Sequence, residues 1–138
     1  MSLELFNLTG KTALVTGGTH GLGMAIAKGL AGAGAKIVVN DISQEKLDNA
    51  KKQYKEDGID VTTYFFDVTK EAEVVESLDK IEQEVGPVDI LVNNAGIIKR
   101  IPMIEMEVSD YEDVLRIDLV GPFIMGKHVA KRMIDRKS

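Results

Sequence analysis

Thr12-Ala13-Leu14-Val15-Thr16-Gly17-Gly18-Thr19-His20-Gly21-Leu22-Gly23-Met24-Ala25-Ile26-Ala27 decides the fold. An apolar run of strand character enters a glycine-rich turn, and the turn opens directly into a helical segment. That order suits a nucleotide pyrophosphate. Glycine adopts the positive φ of a tight turn and lets a phosphate approach the bare backbone. The free N–H groups and the dipole of the following helix then attract the anion. Asp41 ends the next apolar run, Ile37-Val38-Val39, at the distance expected of a ribose-binding acid. A solvated acid at a helix entry is the plainer alternative.

Composition narrows the rest. The chain of 138 residues is long enough for one real core. Its 44% hydrophobic and 28% charged residues are the balance of a soluble globular protein. A formal charge of −5, with acids and bases interspersed, argues against nucleic acid as a partner. No apolar run approaches a membrane span and the first residues lack a signal-peptide pattern, so a cytoplasmic protein is expected. The absence of cysteine removes disulfides, zinc-thiolate sites and thiol catalysis together. Two histidines, His20 and His128, are too few and too distant to suggest a metal site.

Short apolar runs alternate with amphipathic segments, which predicts an α/β fold with βαβ units around a parallel sheet. The first strand is expected at 11–17 and its helix at 21–33, with Leu22, Ile26, Leu30 and Ala33 on one face. A second strand spans 36–40. Ser43 caps a helix with a Leu47, Ala50 and Tyr54 stripe that ends at Gly58. The third strand covers 61–66. Thr69 then caps a helix carrying Val74, Val75, Leu78, Ile81 and Val85, and Gly86-Pro87 stops it.

Residues 88–93 read as the fourth strand, apolar enough to be buried on both faces. Ser109-Asp110-Tyr111-Glu112 has the form of a capping box for a long helix to about 136, bent or broken near Gly121-Pro122. The expected strand order is 3-2-1-4, which leaves nothing to pair with the outer edge of the fourth strand. Residues 1–138 are therefore expected to be the N-terminal, dinucleotide-binding part of a single Rossmann-type domain. Its doubly wound parallel sheet would be truncated after strand four and its following helix.

These residues together resemble the short-chain dehydrogenases/reductases. Thr16-Gly17-Gly18-Thr19-His20-Gly21-Leu22-Gly23 is similar to that family's T-G-x-x-x-G-x-G, Asp67-Val68 to its adenine-contacting pair, and Asn93-Asn94-Ala95-Gly96 to its N-N-A-G signature. Gly10-Lys11-Thr12 resembles the lead-in to its first strand. It is not a P-loop, because Leu5 stands where that motif needs glycine. The resemblance implies an NAD(P)-dependent oxidoreductase. Gly17, Thr19, His20, Gly21, Leu22 and Gly23 would bind the cofactor with Asp41, Asp67, Val68, Asn94, Ala95 and Gly96. Asn93 would tie strand ends together. Asp41 accepts both ribose hydroxyls of NAD and repels the 2′-phosphate of NADP. With no basic residue adjoining it in sequence, NAD is the favoured cofactor and NADP the alternative. A plain turn or cap residue before Thr69 is the alternative reading of Asp67.

The loop Gly96-Ile97-Ile98-Lys99-Arg100-Ile101-Pro102 and the later Ile117-Asp118-Leu119-Val120-Gly121-Pro122-Phe123 resemble the gluconate 5-dehydrogenase branch of the family. That branch implies a sugar-acid substrate, with Lys99 and Arg100 attracting its carboxylate. Surface cations are the plain alternative. Most of the family has asparagine where Asp118 stands, in the neighbourhood of a proton-relay water. Asp118 is thus a candidate catalytic residue, or else a helix acid satisfied locally. The family's acid/base tyrosine and its lysine come as Y-x-x-x-K. Here Tyr54, Tyr64 and Tyr111 are followed four residues on by Gly58, Val68 and Leu115. The segment alone is therefore expected to bind nucleotide without turnover. A non-catalytic NAD(H)-binding module, or a family member acting on another alcohol, remain alternatives. The family's habits further imply a homodimer or homotetramer built on the long helix.

Overall fold

The computed structural model describes residues 3–137. Four parallel strands form one sheet in the order β3-β2-β1-β4, the order expected. They are β1 (Thr12–Thr16), β2 (Lys36–Asp41), β3 (Val61–Phe65) and β4 (Ile90–Val92). Helices α1 (Gly21–Gly32), α2 (Gln44–Glu56) and α3 (Glu71–Glu84) follow the first three strands. After β4 come α4 (Val108–Leu115), a π turn (Arg116–Val120) and α5 (Gly121–Asp135). Short 3₁₀ turns occupy Leu3–Phe6 and Met103–Glu105.

The pleat sends alternate residues of a strand to opposite faces, and two cores result. Ala13, Val15, Ile37 and Val39 pack under α1 and α2 against Met24, Ala27, Leu47, Ala50 and Tyr54. Leu14, Val38 and Phe66 pack on the other face with α3 and α5, through Val74, Leu78, Ile81, Met125 and Val129. Full burial of such side chains contributes about 1.5–3 kcal/mol each. β1 is buried along its whole length because it has a strand on each side and helices on both faces. Among the described residues β4 pairs only with β1, and its three residues are half-buried rather than enclosed on both faces as expected.

The helix stripes were legible to different degrees. Leu47, Ala50 and Tyr54 of α2 are all buried, and Ser43 caps the helix by accepting a hydrogen bond from the Lys46 N–H at 3.3 Å. In α1 the expected face holds in part: Leu30 packs against the first core, but the first two turns bury a neighbouring line of residues. Gly23, Met24 and Ala27 are buried, whereas Leu22 is 79% and Ile26 39% exposed. The phase is set by Gly23, which must lie against Gly17 and Asn94. Thr69 does not cap α3. Lys70 holds that position without a side-chain bond, and the Thr69 N–H and hydroxyl both turn back to Asp67. Ser109 likewise lies inside α4, which starts one residue earlier after Glu107, so the capping box is not formed.

The bend expected at Gly121-Pro122 is the π turn. The N–H of Gly121 reaches back five residues to the carbonyl of Arg116. Pro122 has no N–H to give, so the Asp118 carbonyl four residues before it receives no α-helical bond from that position.

Ion pairs bind α5 to α3 on the outside of the second core. Glu71 accepts from Lys127 Nζ at 2.9 Å, and its Oε1 lies 2.7 Å from His128 Nε2. Arg132 reaches Asp79 at 2.6 Å. The Lys127 hydrogen bond first, and that of His128 second, hold the Glu71 carboxyl below its ordinary value of 4.5. A carboxyl lowered in the folded state adds stability above that ordinary value and loses it as pH falls through the folded one. Glu71→Gln is therefore expected to flatten the acid limb of a stability-against-pH curve, measured by denaturant titration. Added salt should shrink the difference between variant and parent, since the pair is exposed.

Candidate functional site

A cleft of about 630 Å³ opens where the four strands end. Each strand supplies one wall: Gly17 and the 20–23 turn after β1, residues 40–42 at the end of β2, 66–69 after β3, and 94–97 after β4. Asp113, Arg116 and Ile117 close it from the α4 side. The volume lies within the range that encloses small organic ligands.

The glycine turn is fixed from three directions. Gly17 takes φ +62° and Gly21 φ +55°, a region that costs a residue with a Cβ. The Gly17 N–H donates to Asn40 Oδ1 at 3.0 Å, and Asn40 Nδ2 donates to the Phe66 carbonyl at 2.9 Å. From α2, the Tyr54 hydroxyl donates to the Gly18 carbonyl at 2.6 Å. Burial pushes that phenol up to about 12, so it stays protonated and keeps donating. From β4, Asn94 Nδ2 donates to the carbonyls of Thr16 and Gly17, each at 3.1 Å. The Thr16 hydroxyl accepts from the N–H groups of Asn94 and Ala95, both at 3.0 Å, and lies 3.3 Å from the Val92 carbonyl.

Asn40, Thr16 and Tyr54 were not anticipated as site residues. A polar residue closing an apolar strand was the available signal for Thr16 and Asn40. Tyr54 passed as plain core. The tie between strand ends was expected of Asn93. Asn94 makes it instead, while Asn93 is exposed.

The site fits a dinucleotide. α1 begins in the cleft with no side chain capping its N-terminus. The N–H groups of its first turn therefore lack partners within the helix. No atom lies within 4 Å of the point where a Gly21 side chain would start. Asp41 stands on the same wall with both oxygens oriented: Oδ2 accepts from the Thr19 hydroxyl at 2.6 Å and Oδ1 from the Ser43 N–H at 3.1 Å. Thr19 is buried and does not itself line the cleft. His20 does line it, with Nδ1 3.0 Å from the Thr19 hydroxyl. Lys46 lines it too. One turn of α2 thus brings a base to the wall that holds Asp41, although no base adjoins Asp41 in sequence.

The remaining expected residues divide. Leu22, Gly23, Asp67, Val68, Asn94, Ala95 and Gly96 all line the cleft. Asp67 also builds the turn, its Oδ1 accepting from the N–H and hydroxyl of Thr69 at 2.9 and 2.7 Å. Gly96 is small for a reason internal to the protein, since a Cβ there would sit 2.9 Å from Asp118 Oδ1. Asp118 does not line the cleft. It projects from the π turn and accepts from the Ile97 N–H at 2.9 Å, fixing the loop after β4. Lys99 is spent internally on Asp110 at 2.9 Å and Asp113 at 2.8 Å, bonds that raise its pKa. Its charge is thereby paired within the protein rather than left free. Arg100 is exposed and has no ion pair among the described residues.

Comparison with known proteins agrees with this geometry. The family model described as short chain dehydrogenase matches residues 11–138. A 2-dehydro-3-deoxy-D-gluconate 5-dehydrogenase of Formosa agariphila is 60% identical over 139 residues, 100% of this chain and 53% of that protein. A gluconate 5-dehydrogenase of Gluconobacter oxydans is 41% identical over 96% of this chain and 52% of its own length. Among solved structures, a gluconate 5-dehydrogenase from Burkholderia cenocepacia, in complex with NADP and tartrate, superposes with a TM-score of 0.89. It is 40% identical, covering 99% of this chain and 53% of that one. The chain spans about half the length of the curated relatives it matches.

Proposed function

The chain belongs to the short-chain dehydrogenase family, and from that premise we propose that the whole protein is an NAD(P)-dependent oxidoreductase acting on a sugar acid. It interconverts a hydroxyl and a ketone, with 2-dehydro-3-deoxy-D-gluconate and gluconate as the substrates to test first. The supporting observation is the cleft, where an uncapped helix N-terminus, an oriented Asp41 and the loop after β4 share one wall system. The nicotinamide supplies or accepts the hydride when bound. Asp41 orients the adenosine ribose, favouring NAD, and Asp67 and Val68 flank the base. Asn94, Ala95 and Gly96 shape the opposite wall.

In this reading Asp118 takes the place of the family's asparagine as a positioning group, through its bond to Ile97. Residues 1–138 form the N-terminal, dinucleotide-binding part of one domain. The family's acid/base tyrosine, its lysine and the serine that positions the substrate oxygen are not among them, so the segment alone binds nucleotide without turnover. No helix among the described residues is long and apolar enough to cross a membrane, and the proposal includes a cytoplasmic protein. Tyr111, Leu119, Phe123 and Ile134 leave an apolar face exposed on α4, the π turn and α5, which supports assembly as a homo-oligomer.

The test is cofactor reduction by the full-length protein, followed by absorbance with each sugar acid in turn. The expected result is turnover with one of the two sugar acids. Arg100→Ala should raise its KM by roughly tenfold or more, the scale of a lost charge-assisted hydrogen bond. The cofactor KM should hardly change. Turnover of uncharged alcohols with no response to either sugar acid would overturn the substrate assignment.

A further inference from the structure

The side chain that orients Asp41 does not belong to the wall it serves. Thr19 is 4% exposed and does not line the cleft, and its hydroxyl lies 2.6 Å from Asp41 Oδ2 and 3.0 Å from His20 Nδ1. An ionised carboxylate only accepts hydrogen bonds, so the Thr19 proton goes to Asp41. The Thr19 oxygen is then left to accept from His20, which places the histidine proton on Nδ1. Donation therefore runs one way, from His20 through Thr19 to Asp41. The second oxygen of Asp41 is held by the Ser43 N–H at 3.1 Å. One restraint on each oxygen defines the plane of the carboxylate, and each oxygen keeps a lone pair directed elsewhere.

We propose that the Thr19 hydroxyl is a specificity-determining positioning group, setting the preference between NAD and NADP by locking the Asp41 carboxylate against the cofactor's ribose. The inference rests on the reading that this cleft takes a dinucleotide. A locked carboxylate presents its free lone pairs to a 2′,3′-diol without losing freedom on binding, which is preorganisation in the usual sense. The same lock prevents it from turning aside for a 2′-phosphate, so the repulsion is felt in full. Without the Thr19 bond, the carboxylate pivots on its Ser43 contact. It then binds the diol less well and yields to the phosphate, while Lys46 on the same wall offers the phosphate a counter-charge.

The test is direct titration of the full-length protein with NADH and NADPH, followed by cofactor fluorescence, for the parent, Thr19→Val, Thr19→Ser and Asp41→Ala. Valine keeps the shape of threonine without the hydroxyl, and serine keeps the hydroxyl. The ratio of the two Kd values in Thr19→Val is expected to shift about tenfold toward NADPH, the scale of one hydrogen bond to a charged group. Thr19→Ser should keep the parent's ratio. In an Asp41→Ala background, Thr19→Val should leave the ratio unchanged, because its action passes through the carboxylate. Equal weakening toward both cofactors, or a shift that persists without Asp41, would overturn the proposal. A parent that binds neither cofactor would instead overturn the dinucleotide reading on which it stands.

Discussion

Gly23→Ala is expected to lower nucleotide affinity at least a hundredfold and to destabilise the fold. A Cβ at Gly23 would lie 2.4 Å from Asn94 Nδ2 and 2.5 Å from the Gly17 carbonyl oxygen. Neither neighbour can retreat cheaply. Asn94 is committed to two carbonyls, and the Gly17 carbonyl is backbone inside a turn already at positive φ. Relief requires the start of α1 to move out from β1, which displaces the N–H groups that face the cleft. Overpacking of this kind costs about 1–3 kcal/mol in stability. The loss in affinity is larger because ligand-facing groups are misplaced, not merely strained. Gly29→Ala supplies the control from the same helix. No atom lies within 4 Å of its would-be Cβ, so it should stabilise α1 by about 0.5–1 kcal/mol and leave binding intact. Fluorescence titration with NADH and thermal unfolding of both variants check the pair. Full-affinity binding by Gly23→Ala would show that the turn tolerates a side chain there.

Asn40→Asp is the second large effect. Asn40 is 2% exposed and uses both ends of its amide, accepting from the Gly17 N–H and donating to the Phe66 carbonyl. Aspartate keeps the acceptor and replaces the donor with an oxygen aimed at a carbonyl oxygen. The buried site then holds either an unpaired charge or a carboxyl that must stay protonated. Leaving a buried group unsatisfied costs about 1–3 kcal/mol, and more when it is charged, against a typical total stability of about 5–15 kcal/mol. The sign with pH follows from the destabilised anion. The carboxyl of the variant is raised in the folded state, so the deficit should be smallest in acid and grow as pH rises. Denaturant titrations of parent and variant at several pH values measure it, and a pH-independent deficit would argue against the electrostatic cause.

The parts legible in the sequence were those with a local period or a local stereochemical demand. The Gly17 and Gly21 turn, the α2 stripe and the Ser43 cap follow from spacing within a dozen residues, and the order of the sheet follows from the handedness of βαβ crossovers. The phase of α1 did not, because apolar spacing places Leu22 and Ile26 on the core face and gives no weight to a residue without a side chain. At Gly23 the missing side chain is itself the packing element. Thr69 and Ser109 carried cap-like spacing, but Asp67 captured the first and α4 began ahead of the second. Lys99 looked like a free cation because its partners, Asp110 and Asp113, lie across a loop. The roles of Asn40, Thr16 and Asn94 depend on strand ends that meet only in three dimensions, and no periodicity announces them.

The position of β1 at the centre of the sheet has a consequence for synthesis. Its neighbours are residues 36–40 on one side and 90–92 on the other. Asn94 reaches Thr16 across 78 positions of sequence. A chain emerging from the ribosome at about 5–20 residues per second therefore carries β1 with one edge bare for roughly 4–15 s. During that interval the earliest strand made is the one most open to a wrong partner. Such long-range closure also slows folding, because the loop must close before its contacts reward it. A nascent-chain arrest series should show protease resistance of residues 12–16 rising only after the Asn93-Asn94-Ala95-Gly96 segment has cleared the tunnel.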